Sequence, residues 1–577
     1  MNVSVTRLRD LRTRSSDAGF DAWLFNCLLD NNLLHSMNPQ ITASREQLRF
    51  MVHLEHDQPF LPCRDTTFFD LCQDTLSDNL KHQYERAWRM VMSILDTMPY
   101  PESERERIRG YRFDRYVSSH NVIPSRVVKR LVAYVTALNG PFDPWVERRA
   151  EAIARHKRTL SSDTVTRELQ YLPAECFPGM KTIRDMNRHL HLLVLARYAS
   201  LMANVRAWSE NFPSGEELRR HFAEAENKME ALGSALDVLG RPGSTILLLS
   251  DADGGTLYDL SLAHFFTAHG LKVIYAVKEG FYFHSPTMQD VQENDDLREA
   301  LRGAHVITNP SISKNDLLKA LREWRLVVIS DGTRERLNLA RVSVTFSRAW
   351  KESDLVIAHG WRKRFRLIDT SVSFTRDILC FWEDRDGFDV RFRPHDPAER
   401  KFSEAEINAL SDAIIEEMRE ARAKNRPVVF YSCVIGSIPG ETKTATSLVN
   451  AFVGDLRKRM PEAYIINPAE HFVEGMDGDD LMFMWERVQR SGYITVWRFQ
   501  TAEDIEKGFA LLGRDVPQKW IGKDSTFSTG CTQEMHIAQD VLRKNPEMQI
   551  VGPAPERFFR RRSYGVGKYF DAQLASR

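Results

Sequence analysis

From Thr245 onward, short and nearly unbroken apolar runs alternate with helix-length segments. The runs are TILLLS (245–250), KVIYAV (272–277), HVIT (305–308), LVVIS (326–330), DLVIA (354–358) and ILCFW (378–382). Strands with no polar face must be covered on both sides. Intervening helices provide that cover and let successive strands run parallel. The pattern predicts a doubly wound, mostly parallel sheet over residues 244–398. In such sheets ligands sit beyond the carboxyl ends of the strands.

The flanking sequence has a different rhythm. Residues 1–160 read as helical, with apolar residues at helical spacing in 82–98 and 125–138 and no strand-like alternation. Residues 161–243 continue as long amphipathic helices, 186–208 and 215–240, expected to cap the sheet. A charged helix at 402–425 opens a second α/β unit over 399–577. Its expected strands are VVFYSC (428–433), AYIINP (463–468), YITVWRF (493–499) and MQIVGP (548–553). The expected class is therefore α/β, with a helical N-terminal region, a central sheet and a smaller C-terminal α/β unit.

A chain of 577 residues is too long for one ordinary core. Lys+Arg and Asp+Glu are equal at 79 each, so no global charge draws the chain to nucleic acid or an anionic membrane. Seven cysteines, with no CxxC pair, argue against a disulfide framework or a structural zinc site. No apolar run reaches membrane-spanning length. Arg7, Arg9, Arg12 and Arg14 precede no apolar stretch, which speaks against a secretory signal. A cytoplasmic location is expected, without nucleic-acid or membrane partners. Assembly into an oligomer is left open.

Chemistry concentrates at the strand ends. The first run leads into Ser250-Asp251-Ala252-Asp253-Gly254-Gly255. Carboxylates there can hold a hard cation, and glycines let a phosphate approach the backbone. An acidic turn capping the next helix is an equal alternative. The fourth run ends at Asp331, and the fifth at His359, Gly360, Arg362 and Lys363. On one sheet edge, acids near Asp251 and Asp331 would face these basic groups, as phosphoryl transfer requires. A solvated surface loop is the plainer reading of the basic run.

Three segments carry a family resemblance. They are TLYDLSLAHFF (256–266) behind an Asp-bearing strand end, VKEGFYFHSPTMQDV (277–291) and ESDLVIAHGWRKRFRLID (352–369). In order and spacing, over about residues 165–395, they resemble the motifs of the DUF89 family, the ARMT1-like damage-control phosphatases. The resemblance implies a divalent metal at Asp251 (manganese, or alternatively nickel, cobalt or magnesium), with Asp253, or else Asp331, compensating for lost ligands. It implies catalytic roles for Asp251, Asp253, His359 and Lys363. Gly254, Gly255, Asp331, Gly360 and Arg362 would bind a small phosphorylated or anionic metabolite. The chain also departs from the family pattern. Ser250 or Ala252 stands beside Asp251 where an Asp-Asn pair is expected. Ser285 replaces an Asp, and His359 replaces a Lys, while Asp290 and Gly360 match.

In the C-terminal unit, a Gly-rich turn (434–444) leads to Lys443 and Thr444 at a helix start, which suits a phosphate contact or an ordinary capped helix. It is not a Walker A motif, because Glu441 and Thr442 separate Gly440 from Lys443. Two functions from different classes follow. One is a metal-dependent phosphomonoester hydrolase. The other is an inactive relative that binds a ligand or protein, or an altered site performing a transfer.

Overall fold

The computed structural model describes residues 5–33, 42–55, 57–110, 121–137, 143–172, 179–203, 213–251, 254–309, 312–396, 402–438, 440–471, 473 and 475–559. The chain divides into two compact units, Met1–Glu399 and Arg400–Arg577. Asp253 of the expected metal pair lies outside the described residues, as does most of the basic-aromatic tail at 558–570.

The first unit is built on seven strands: β1 (Thr245–Leu249), β2 (Lys272–Val277), β3 (His305–Ile307), β4 (Leu326–Ser330), β5 (Leu355–His359), β6 (Asp377–Asp384) and β7 (Gly387–Arg393). Their order is β3-β4-β2-β1-β5-β6-β7. All pairings are parallel except β6 with β7. Every residue of β1, β4 and β5 is buried, as their unbroken apolar sequences require.

Because alternate strand residues point to opposite faces, the sheet has two cores. Ile246, Leu248, Val273, Tyr275, Leu355 and Ile357 pack with the helices Ile183–Ala203, Gly215–Glu230 and Thr256–Ala268. Leu247, Leu249, Ile274, Ala276, Val356 and Ala358 pack on the other side with N-terminal helices, among them Asp78–Leu95 and Pro124–Ala137. Fully burying each of the Val, Leu and Ile side chains among them contributes about 1.5–3 kcal/mol.

Two details differ from the sequence expectation. The hairpin strand β7 was not expected. Its sequence GFDVRFR alternates buried and partly exposed residues at the sheet edge, so it lacks the unbroken apolar run that marks the inner strands. The helix expected over 215–240 stops at Glu230. A 3-10 segment, Gly233–Gly240, follows, entered through Gly233 at φ 49°.

The second unit is a four-stranded parallel sheet in the order β11-β10-β8-β9. Its strands are β8 (Val428–Ser432), β9 (Tyr464–Ile466), β10 (Val496–Phe499) and β11 (Gln549–Val551). Phe430, Trp497 and Phe499 pack with the helices Glu404–Ala423 and Thr529–Lys544. Val429 and Tyr431 face the helix Thr442–Arg459 on the opposite side. Among the described residues no helix is long and apolar enough to cross a membrane.

Candidate functional site

The strand order of the first unit creates a crevice. From β1 the chain moves to β2 on one side, and from β5 it moves to β6 on the other. Adjacent strands whose connections leave in opposite directions open a gap at their carboxyl ends, the usual ligand position in such sheets. Asp251 follows β1, and His359 ends β5.

Gly360 makes the close approach of these two loops feasible. It has φ 88°, and a Cβ there would stand 2.5 Å from Asp251 Oδ2. Only glycine tolerates both the backbone and the proximity. The turn starts the short helix Trp361–Leu367, from which Lys363 reaches back. Its Nζ donates to Asp251 Oδ1 at 2.8 Å and to the His359 carbonyl at 3.3 Å. Both side chains of the pair are buried. Burial alone would raise the Asp251 carboxyl. The charges of Lys363, His359 and Arg362 outweigh it and hold the group well below the ordinary carboxylate range.

Behind this pair lies a second set of polar groups. His359 stacks on Phe381, with ring centroids 5.6 Å apart. Its Nε2 is 3.0 Å from Asp259 Oδ1. That separation suits an ion pair with a protonated ring, but the alignment is not that of a hydrogen bond. Tyr275 donates to the other Asp259 oxygen at 2.8 Å. Asp259 is fully buried on the helix Thr256–Ala268, which starts after Gly254 and Gly255 at φ 98° and 91°. The sequence signal for Asp259 is a lone acid within the apolar run TLYDLSLAHFF.

The ends of β2 and β4 supply another clamp. Lys278 Nζ donates to Asp331 Oδ2 at 2.5 Å, to Thr333 Oγ1 at 3.1 Å and to the Glu335 carbonyl at 2.7 Å. The other Asp331 oxygen accepts from the Thr333 backbone N–H at 2.8 Å. Lys278 escaped the sequence reading although it directly follows an apolar run, where the strand-end rule points.

Together these loops line a cavity of about 400 Å³, its open mouth included. Its charged walls are Lys278, Arg336, Arg362 and Lys363, against Asp251 and Asp331. Ser285 also lines it, 1% exposed, and its hydroxyl has no hydrogen-bond partner. A buried polar group without a partner is costly, and a ligand would satisfy it.

As a metal site the described donors are incomplete. Asp251 is the one member of the expected pair that can be placed, and Lys363 already meets it. Among the described residues no three His, Cys, Asp or Glu side chains converge as a cage. Asp290 is engaged elsewhere: it closes a capping box with Thr287 and pairs with buried Arg149 at 2.7 Å.

In the second unit, Lys443 and Thr444 stand in the first turn of the helix Thr442–Arg459, with Lys443 exposed. Asp477 caps the helix Gly478–Gln489, accepting from the Asp479 and Asp480 backbone N–H groups. Burial pushes the Cys433 and Cys531 thiols well up, so both stay protonated near neutrality and make poor nucleophiles.

No family model matches the chain, and no curated protein does. Among solved structures it is similar to a DUF89 family protein from Pyrococcus horikoshii, at 18% identity and a TM-score of 0.35. The match covers 52% of this chain and 90% of that one. A likeness of this size does not make the chain a member of that family.

Proposed function

We propose that the cavity at the carboxyl edge of the first sheet binds a small phosphorylated or otherwise anionic metabolite. The observation that carries this reading is its charge: four cationic side chains against two carboxylates among the described lining residues. Each of those carboxylates already meets a lysine. The unpartnered Ser285 hydroxyl adds a donor for a phosphate oxygen.

In the enzyme reading, a divergent DUF89-type protein hydrolyses a phosphomonoester. Lys363, Arg362 and Arg336 would offset charge developing on the phosphoryl oxygens. A divalent ion takes several oxygen ligands, so a metal such as manganese would depend on Asp253 joining Asp251. The Asp251–Lys363 pair favours a second reading, a binding protein without hydrolysis, because an ammonium already neutralises the one placed candidate ligand.

Thermal stability of the full chain separates these. Inorganic phosphate should raise the midpoint; no effect at any concentration would refute the anion reading. Stabilisation by manganese, nickel, cobalt or magnesium, and hydrolysis of a phosphomonoester panel, should both vanish in Asp251→Ala if the protein is an enzyme. Phosphate binding without either would identify the binding protein.

A further inference from the structure

A second cavity, about 280 Å³ with its open mouth included, lies beside the first, and Arg336 lines both. Its other basic walls are Arg64, ahead of the helix Asp65–Leu71, and Arg366, on the helix Trp361–Leu367. Thr67, Gln83 and Ser125 add polar groups to its lining from N-terminal helices.

The polar atoms here are poorly matched by the chain itself. Arg366 is 9% exposed and gives one hydrogen bond, from Nη2 to Ser125 Oγ at 2.5 Å. Its Nε and Nη1 have no partner, nor do Arg336 Nε and Gln83 Nε2. All four atoms are donors. None of the three arginines makes an ion pair among the described residues. Of the nearby acids, Glu335 is bound at both oxygens by Arg126, at 2.7 and 2.6 Å, and Asp369, which acts on Arg64 from beyond ion-pair distance, meets Arg364 at 3.2 Å. Burial first, and then the charge of Arg336, push the Arg366 guanidinium down to about 9. Arg64 and Arg336 rest on aromatic faces, at 4.0 Å from the Phe365 ring centre and 5.4 Å from that of Trp361. Such stacking holds a guanidinium in place without neutralising it.

A buried cation without counter-charge is expensive, and converging donors without acceptors add to the cost. An anion with several acceptor oxygens would relieve both costs at once. We propose that Arg64, Arg336 and Arg366 form a second anion site. It takes the far phosphate or carboxylate of a ligand whose other anionic group occupies the first cavity. This rests on the reading of the first cavity given above, and it narrows the substrate class to small metabolites with two anionic groups.

The test uses the full chain, inorganic phosphate, and alkylene diphosphonates of graded length with matching monophosphonates. Calorimetric titration should show two phosphates, one lost in Arg366→Met and the other in Lys363→Met. A diphosphonate of fitting length should bind at least tenfold tighter than its monophosphonate, and Arg366→Met should bring that ratio close to one. Without anion, Arg366→Met should melt no lower than wild type, since it removes an unpaired buried charge. Arg64→Met, at a half-buried position, repeats the ratio test if Arg366→Met fails to fold. An unchanged ratio in both variants, or a phosphate count that Arg366→Met does not alter, overturns the proposal. Loss of a phosphate in Arg366→Met but none in Lys363→Met refutes the first-cavity reading and leaves the arginine site standing alone.

Discussion

Replacing Lys363 by methionine tests the centre of the candidate site. The substitution keeps the length of the stem and removes the ammonium 2.8 Å from Asp251 Oδ1. The two side chains are 9% and 4% exposed, so water replaces the lost partner only in part. At an effective dielectric of about 20 the direct attraction is about 6 kcal/mol. Breaking one partner of a buried pair costs about 3–5 kcal/mol. The lower figure applies because His359 and Arg362 still act on Asp251. About 3 kcal/mol corresponds to roughly a hundredfold faster hydrogen exchange in β1 and β5 peptides at pH 7. Peptide-level exchange assigns the change to the first of the two units. The pH dependence should reverse between the two proteins. In wild type, the depressed Asp251 carboxyl contributes stability that is present above its unfolded value, about 3.9, and is lost as pH falls through its folded value. In Lys363→Met, burial becomes dominant and raises the carboxyl, so acidification relieves the variant. The gap between the proteins should narrow as pH falls toward about 4. The double variant Asp251→Asn/Lys363→Met should recover most of the loss. A cost below about 1 kcal/mol at pH 7, or a gap that widens on acidification, would refute the argument.

Gly360→Ala should destabilise the first unit by about 3 kcal/mol, combining left-handed backbone strain with a Cβ driven into Asp251. It should also abolish phosphate-dependent stabilisation, and an unchanged melting profile would count against the close approach of the two loops. In the second unit, burial lifts the Glu534 carboxyl to about 7, against weaker lowering by hydrogen bonds from Ser432 and Gln489. The folded state then holds a proton that the unfolded state has released, so stability is greatest below about 4.5 and falls as pH rises through about 7. Glu534→Gln should remove that slope and stabilise the unit at pH 8 by up to about 3 kcal/mol, read from exchange in the helix Thr529–Lys544. An identical slope in the variant would show that another group sets it.

The class of fold and the sheet edge that carries the site follow from the pattern of apolar runs. Inner parallel strands are buried on both faces, so β1, β4 and β5 announce themselves as unbroken apolar runs. Their carboxyl ends then mark Asp251, Asp331 and His359 without any knowledge of strand order. The edge strand β7 was hidden, because a strand with one wetter face needs only alternate apolar residues. Tertiary structure alone decided which groups meet. Placing β5 directly beside β1 brings Lys363 to Asp251, although 112 residues separate them in the chain. The same packing brings His359 to Asp259, and Arg64 and Gln83 to a wall shared with Arg336 and Arg366. Such juxtapositions leave no periodic trace in a sequence, because they depend on the order of strands and the docking of distant helices, which local propensity does not encode. The strand-end rule could locate the acids. Only the fold showed that lysines already hold two of them, and that the neighbouring cavity gathers Arg64, Arg336 and Arg366.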